Sequence, residues 1–350
     1  MEESSEIVKD IQKKASRRKY IFTAVIIYLC FLAVYIFMVV TWESKTDKTN
    51  KIIRQAAAEQ VKKAPKDLTD EDFAKITELH ISEKGLTDIK LLEKFSNLQE
   101  LYLQYLYFTE PEKTFFKAIL KKFGVNELSE KKYIDLSPLS KLYKLQLLYL
   151  GGDRFNNIQP LENLNNLERL SLHNNQVDDL SPIKGLTNLQ VLYLSGTQIS
   201  NLEPIKGLTK LQTLIFQSTQ VSKLDSIKDL KNLQILAVSH RINEIESIRN
   251  LQKLRTPNLS FTSVSDLDSL KNLTNLEHLY IGRTKISDLE PLKELKNLNY
   301  LILNDTQVRD LKPLYGLINL KELSIDNCNN ITDEQVKELQ KTLPNLKIIR

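Results

Sequence analysis

The sequence predicts an α/β fold: a repeat solenoid with a parallel β-sheet on its concave side, preceded by a single transmembrane helix. Two observations carry this. An L-x-x-L-x-L unit recurs at a nearly constant interval from residue 76 to the C-terminus. Ahead of it, residues 20–40 read YIFTAVIIYLCFLAVYIFMVV, 21 residues without a charge or a proline. The composition, 41% hydrophobic and 27% charged, leaves enough apolar side chain for a large core.

Taken in order, residues 1–19 read as a basic cytoplasmic tail, with Lys9, Lys13, Lys14, Arg17, Arg18 and Lys19. A helix over residues 20–40 would rise about 31 Å, close to the ~30 Å hydrocarbon core of a bilayer. Tyr20 and Trp42 lie near its ends, where aromatic rings favour the interface. The run is too long for a signal-peptide core, and Val40-Thr41-Trp42-Glu43 is no small-residue cleavage site. An uncleaved anchor in the lipid bilayer is therefore expected. The basic tail outweighs Lys45, Lys48, Lys51 and Arg54 on the other flank. The positive-inside rule then puts the N-terminus in the cytoplasm and the repeat domain outside it. Residues 41–67 read as a linker with a helix at 52–64.

The repeat domain is expected over residues 68–350. Thr69 followed by Asp72 reads as the N-cap of a short helix leading to the first strand. Units begin at Ile76, Leu98, Leu145, Leu167, Leu189, Leu211, Leu233, Leu254, Leu276, Leu298, Leu320 and Leu346. The intervals are 22, 47, 22, 22, 22, 22, 21, 22, 22, 22 and 26, a recurrence that chance spacing of leucine does not give. In the unit LQVLYLSGTQISNLEPIKGLTK, residues 189–210, Leu189, Leu192 and Leu194 point inward around a short strand. Ile199, Leu202, Pro204, Ile205 and Leu208 would form the return arc. One unit buries too little to be stable, and stacked units share a continuous core. The ninth position is Asn175, Thr197, Thr219, Thr262, Thr284, Thr306 or Cys328. A small donor there can satisfy buried carbonyls of the adjacent coil.

The unit L-x-x-L-x-L-x-x-T/N-x-I/V-x-D-L-x-P-L/I-x-x-L-x-N resembles the 22-residue leucine-rich repeat of the internalin family. It is also similar to the short repeat class of protein phosphatase 1 regulatory subunits. The resemblance covers residues 68–350 and implies a binding module whose variable positions read the partner. The sequence departs from the internalins as well. No immunoglobulin-like domain or sorting signal is evident after the repeats, and an N-terminal anchor takes their place, so host-cell adhesion does not carry over.

Three irregularities remain. The 47-residue interval holds an insertion at about 104–134. Within it, EKTFFKAILKKFG places Phe115, Ile119 and Phe123 on one helical face and Lys113, Lys117, Lys121 and Lys122 on the other. Such a helix either packs on the solenoid's flank or meets a membrane surface or partner. The unit from Leu233 is one residue short near His240-Arg241, and the next has Pro257 at its second core position, where proline removes a ladder hydrogen bond. At the end, Thr332 followed by Val336, Leu339 and Leu343 predicts a closing helix and a last short strand.

Chemistry is not evident. No P-loop, GxSxG, HExxH, EF-hand loop or GxGxxG occurs, and the expectation is a non-enzyme with no cofactor, metal or small-molecule substrate. His80, His173 and His278 fall on strands one, four and nine, too far apart to share a metal, and read as surface histidines. The excess charge of +5 is small and spread out, which argues against nucleic acid. Cys30 lies in the apolar run and cannot reach Cys328. Function therefore falls to the sheet. Positions 3 and 5 of each unit face outward there. They present Tyr102, Tyr149, Tyr193, Tyr280 and Tyr300, with Leu147, Val191, Ile215, Ile235, Ile302, Arg169 and His278 among them. Exposed aromatic and aliphatic side chains on one face mark a surface for a protein, or for a glycan. The first reading is recognition outside the cytoplasm; the second is a scaffold or regulator facing the cytoplasm.

Overall fold

The computed structural model describes residues 48–82, 86, 88–104, 133–152 and 155–350. The basic tail, the apolar run 20–40 and almost all of the insertion, with its Phe115–Phe123 helix, lie outside the described residues. Among the described residues no helix is long and apolar enough to cross a membrane.

Twelve strands form one sheet whose spatial order is the sequence order, and all its pairings are parallel. They are β1 (Glu78–Ile81), β2 (Glu100–Gln104), β3 (Leu147–Gly151), β4 (Arg169–Ser171), β5 (Val191–Tyr193) and β6 (Thr213–Ile215). Then follow β7 (Ile235–Ala237), β8 (Thr256–Asn258), β9 (His278–Tyr280), β10 (Tyr300–Ile302), β11 (Glu322–Ser324) and β12 (Lys347–Ile349). Each unit supplies one strand. Leu192 pairs with Leu170 on one side and Leu214 on the other, so one leucine column runs through the sheet. The return arcs are single 3-10 turns such as Ser181–Ile183, Glu203–Ile205 and Glu290–Leu292. Proline opens these three, where a missing N–H costs no helical bond.

Of the apolar positions assigned in the 189–210 unit, Leu189, Leu192, Leu194, Ile199, Ile205 and Leu208 are fully buried and Leu202 nearly so, while Pro204 is only half-buried. The ninth position does satisfy buried carbonyls, but not always those of the neighbour. Thr197, Thr219, Thr262 and Thr284 donate to Leu194, Phe216, Leu259 and Ile281 of their own coils at 2.6–2.8 Å. Asn175, with its longer arm, reaches the Leu150 carbonyl one coil back at 2.8 Å, and the Cys328 thiol reaches Leu303 at 3.2 Å.

Position 8, just before that slot, turns left-handed in each regular unit from Leu167 on. Asn174, Gly196, Ser218, Phe261, Arg283, Asp305 and Asn327 all have φ between 55° and 72°. The short unit from Leu233 lacks this turn. Ser239 takes over the polar slot and donates to the Thr219 carbonyl at 2.9 Å. Pro257 is buried and still opposite Leu236, but the β8–β9 pairing shrinks to Asn258 with Tyr280. The missing residue and the proline are thus absorbed locally without interrupting the sheet.

A second ladder runs along the residue before each unit. Asn166, Asn188, Asn232, Asn275, Asn297 and Asn319 each donate to a main-chain carbonyl 23 residues back at 2.7–2.9 Å. Where lysine replaces asparagine, it donates to the preceding asparagine instead: Lys144 to Asn97, Lys210 to Asn188, Lys253 to Asn232.

Both ends are capped. Helix α1 occupies 48–61 and buries Ile52, Ile53, Ala57 and Ala58. It stops three residues before the expected 64: Pro65 disfavours helix at Ala64, and Lys62 turns left-handed at φ 54°. Helix α2 (Asp70–Ala74) carries both halves of a Thr69–Asp72 capping box, and α3 (Asp333–Thr342) those of Thr332–Gln335. Asp72 also accepts from Lys63 at 2.8 Å. Lys63 first, then the Thr69 N–H, hold its carboxyl far below the usual carboxylate range.

Two outcomes follow. Leu214→Ala, at a fully buried site in mid-sheet, should cost about 2–5 kcal/mol in urea unfolding; a change under about 1 kcal/mol would contradict the stacked core. Because folding lowers the Asp72 pKa, its contribution is full above the unfolded value near 3.8 and fades as pH falls below it. Wild type should therefore lose more Tm than Asp72→Asn on going from about pH 5 to about pH 3; parallel acid limbs would contradict the cap.

Candidate partner-binding face

Alternation sorts the side chains in β9 and β10, where the central leucine is buried and both flanking residues stay half-exposed. It is incomplete elsewhere, since Ser171 in β4, Thr213 in β6 and Ala237 in β7 are buried although they flank the central leucine. Every residue expected on this face lies on it: Tyr102 on β2, Tyr149 on β3, Arg169 on β4, Val191 and Tyr193 on β5, Ile215 on β6 and Ile235 on β7. His278 and Tyr280 follow on β9, Tyr300 and Ile302 on β10. Their exposure differs. Arg169, Tyr193 and Ile235 are exposed, the last two at 37% and 40%, and the other eight are half-buried.

Neighbouring rings account for much of that burial. His80 stacks on Tyr102 with centroids 4.0 Å apart, and Tyr102 lies 6.1 Å from Tyr149. Tyr149 lies 4.9 Å from His173, and its hydroxyl is 3.1 Å from His173 Nε2. The other ring nitrogen of His173 lies 3.0 Å from the Ser171 hydroxyl. Further on, His278 stacks on Tyr300 at 4.7 Å. Parallel register causes this for His80, Tyr102 and Tyr149 and for His278 and Tyr300, which share one position in successive units and sit about one strand spacing, ~4.8 Å, apart. His173 lies two residues past Ser171, the register partner of Tyr149, and meets the row from beyond the end of β4. His80 and His173 are thus members of an aromatic row, a role missed in the sequence; for His80 its column beside Tyr102 was the available signal.

The row is tuned electrostatically. Burial, then the bond to Glu100 at 3.1 Å, raises the Tyr102 pKa, and burial alone raises that of Tyr149. Burial lowers the pKa of His173. Both tyrosines are neutral hydroxyls at pH 7.

Beyond the row the face changes character. Over β5–β7, position 2 holds Gln190, Gln212 and Gln234, position 3 holds Val191, Thr213 and Ile235, and position 5 holds Tyr193, Ile215 and Ala237. None is charged. Gln212 donates to Gln190, and Gln190 to Glu168, each at 3.2 Å, which fixes an amide rim along one side. Arg169 bounds this window on one side, and the Arg255–Glu277 ion pair on the other. Such a surface suits desolvation by an apolar or hydrogen-bonding partner. Among the described residues no three His, Cys, Asp or Glu side chains are placed to hold a metal ion.

The aromatic row can be probed through His173. Its pKa is lowered in the fold, so acidification below the unfolded value of about 6.5 favours unfolding. Wild type should lose more Tm than His173→Gln between about pH 7.5 and pH 5; equal losses would contradict the buried ring. A Cβ at Gly151 would lie 2.7 Å from His173 Cε1 and 3.0 Å from Tyr149 Cε1, so Gly151→Ala should separate the two rings.

Comparison with known proteins agrees with the fold. The family described as Leucine Rich repeats (2 copies) matches residues 165–207 and 252–294. A search of curated proteins found no match. Among solved structures, an internalin (InlF) of Listeria monocytogenes is 25% identical, with a TM-score of 0.66 over 85% of this chain and 87% of that one. A leucine-rich-repeat protein of Leptospira interrogans is 24% identical, with a TM-score of 0.65 over 81% and 75%. A plant peptide hormone receptor, RGFR1, solved in complex with RGF2, is 19% identical, with a TM-score of 0.55 over 78% and 47%. The chain carries leucine-rich repeats over 165–207 and 252–294, and in repeat and solenoid it is similar to the internalin InlF.

Proposed function

We propose that the chain is a membrane-anchored binding protein, not an enzyme, and that it recognises a protein partner through the concave face of its sheet. The observation that carries this is the uncharged window over β5–β7, where Tyr193 and Ile235 stay exposed beside a packed aromatic row. A tyrosine that keeps its ring and hydroxyl available on a rigid strand has the character of an interface hot spot. The plant receptor gives support by fold alone: it is a repeat protein solved with a peptide hormone bound. The run 20–40 supplies the anchor, with the N-terminus cytoplasmic and the repeats extracytoplasmic. Lys45, Lys48, Lys51 and Arg54 on the far flank favour the opposite orientation, a cytoplasm-facing scaffold for an enzyme at the membrane.

Changing Tyr149, Tyr193 and Tyr280 together to Ser should reduce partner capture by full-length protein at least about tenfold, given the weight that tyrosine carries at interfaces. Undiminished capture by a folded triple variant would exclude the concave face. Protease added to intact cells should remove the repeat domain and spare an N-terminal tag; digestion only after lysis would reverse the topology.

A further inference from the structure

The net charge of +5 is not distributed evenly over the solenoid. Residues 48–67, which are α1 and the turn that follows it, hold six Lys/Arg against Glu59 and Asp67, an excess of four out of the chain's five. The fold separates the two faces of α1. Ile52, Ile53, Ala57 and Ala58 enter the core, while Lys48 and Lys51, at i and i+3, are exposed on the helix and Lys62, one residue past its end, is exposed as well. Lys66 is exposed beyond the turn. Lys63 differs, being committed to Asp72. Lys48, Lys51, Lys62 and Lys66 make no ion pair with the described residues and so remain available to an outside anion. The turn is also built around one of them. Lys62 occupies the left-handed C-terminal position that glycine usually takes, and Lys63 N–H closes it on the Ala58 carbonyl at 3.2 Å.

We propose that this basic face of the N-terminal cap docks on anionic phospholipid headgroups and so sets the solenoid against the bilayer by its first coil. The inference rests on the anchored reading above. Only residues 41–47 separate the apolar run from α1, and seven residues reach at most about 25 Å, so the cap cannot leave the bilayer's vicinity. Basic side chains beside a membrane span are drawn to anionic lipid over a distance of about one Debye length, ~8–10 Å. The apolar stripe of α1 is already consumed by the core, so the contact is electrostatic and sits on the headgroups without insertion. It also leaves the window over β5–β7 about four to six strand spacings, ~20–30 Å, from β1 and open to a partner.

The test uses the full chain in two sets of vesicles, one of phosphatidylcholine and one with about a third phosphatidylglycerol, enough to give a strongly negative surface. A water-soluble acylating reagent and mass spectrometry read the reactivity of each lysine. Lys48, Lys51, Lys62 and Lys66 should react at least about threefold more slowly on the anionic vesicles and recover in high salt, as screening requires. Lys271 and Lys337, far along the solenoid, should not change. Equal reactivity of the four in both vesicles, with the chain resistant to a carbonate wash, would overturn the docking and leave the anchor. Protection by inorganic phosphate on phosphatidylcholine alone would overturn lipid as the occupant. A chain that the wash strips from both vesicles would overturn the anchor and the docking together.

Discussion

Every coil of this molecule leaves main-chain carbonyls facing a core that is otherwise leucine and isoleucine, and such groups are costly unless paired. The ninth-position side chains meet that demand, the threonines within their own coil and Asn175 and Cys328 on the coil behind. Nearer the surface, the asparagines before each unit donate to a carbonyl 23 residues back and tie successive coils into parallel register. The short unit from Leu233 illustrates the constraint. It gives up the left-handed turn but keeps a buried hydroxyl, Ser239, on the Thr219 carbonyl.

The same register determines what the exposed face can be. Equivalent positions form columns, so a choice of residue type repeated over a few units becomes a strip. Rings in adjacent columns stack and partly bury one another, as in His80, Tyr102, Tyr149 and His173. Amides in adjacent columns join into a rim, as Gln190 and Gln212 do. The middle of the face has neither charge nor ring partner for Tyr193. It is there that surface remains for another molecule.

Much of this was readable from residue order alone. Leucine spacing located all the strands from β1 to β12, because the inward positions tolerate little else. The polar slot was readable as well, though not its partner: the Thr197 hydroxyl serves its own coil and the equally short Ser239 hydroxyl the previous one, a difference set by the local backbone. The left-handed position 8 left a partial trace: Asn174, Gly196, Asp305 and Asn327 are types that favour it, whereas at Ser218, Phe261 and Arg283 the turn is imposed by what surrounds it. On the candidate face, the columns could be assigned but not the exposure within them. Tyr102 and Tyr193 occupy the same position of their units, and only the neighbouring residue decides that one packs and the other stays open.

The most direct test of the account replaces Tyr193 with a photo-crosslinking residue in the full-length protein, in its own cells. Ile318, 78% exposed on a return arc away from the strands, serves as the control site. The account predicts a discrete covalent protein adduct from position 193 and none from position 318. Adducts from position 318 alone would place the binding surface elsewhere and contradict it.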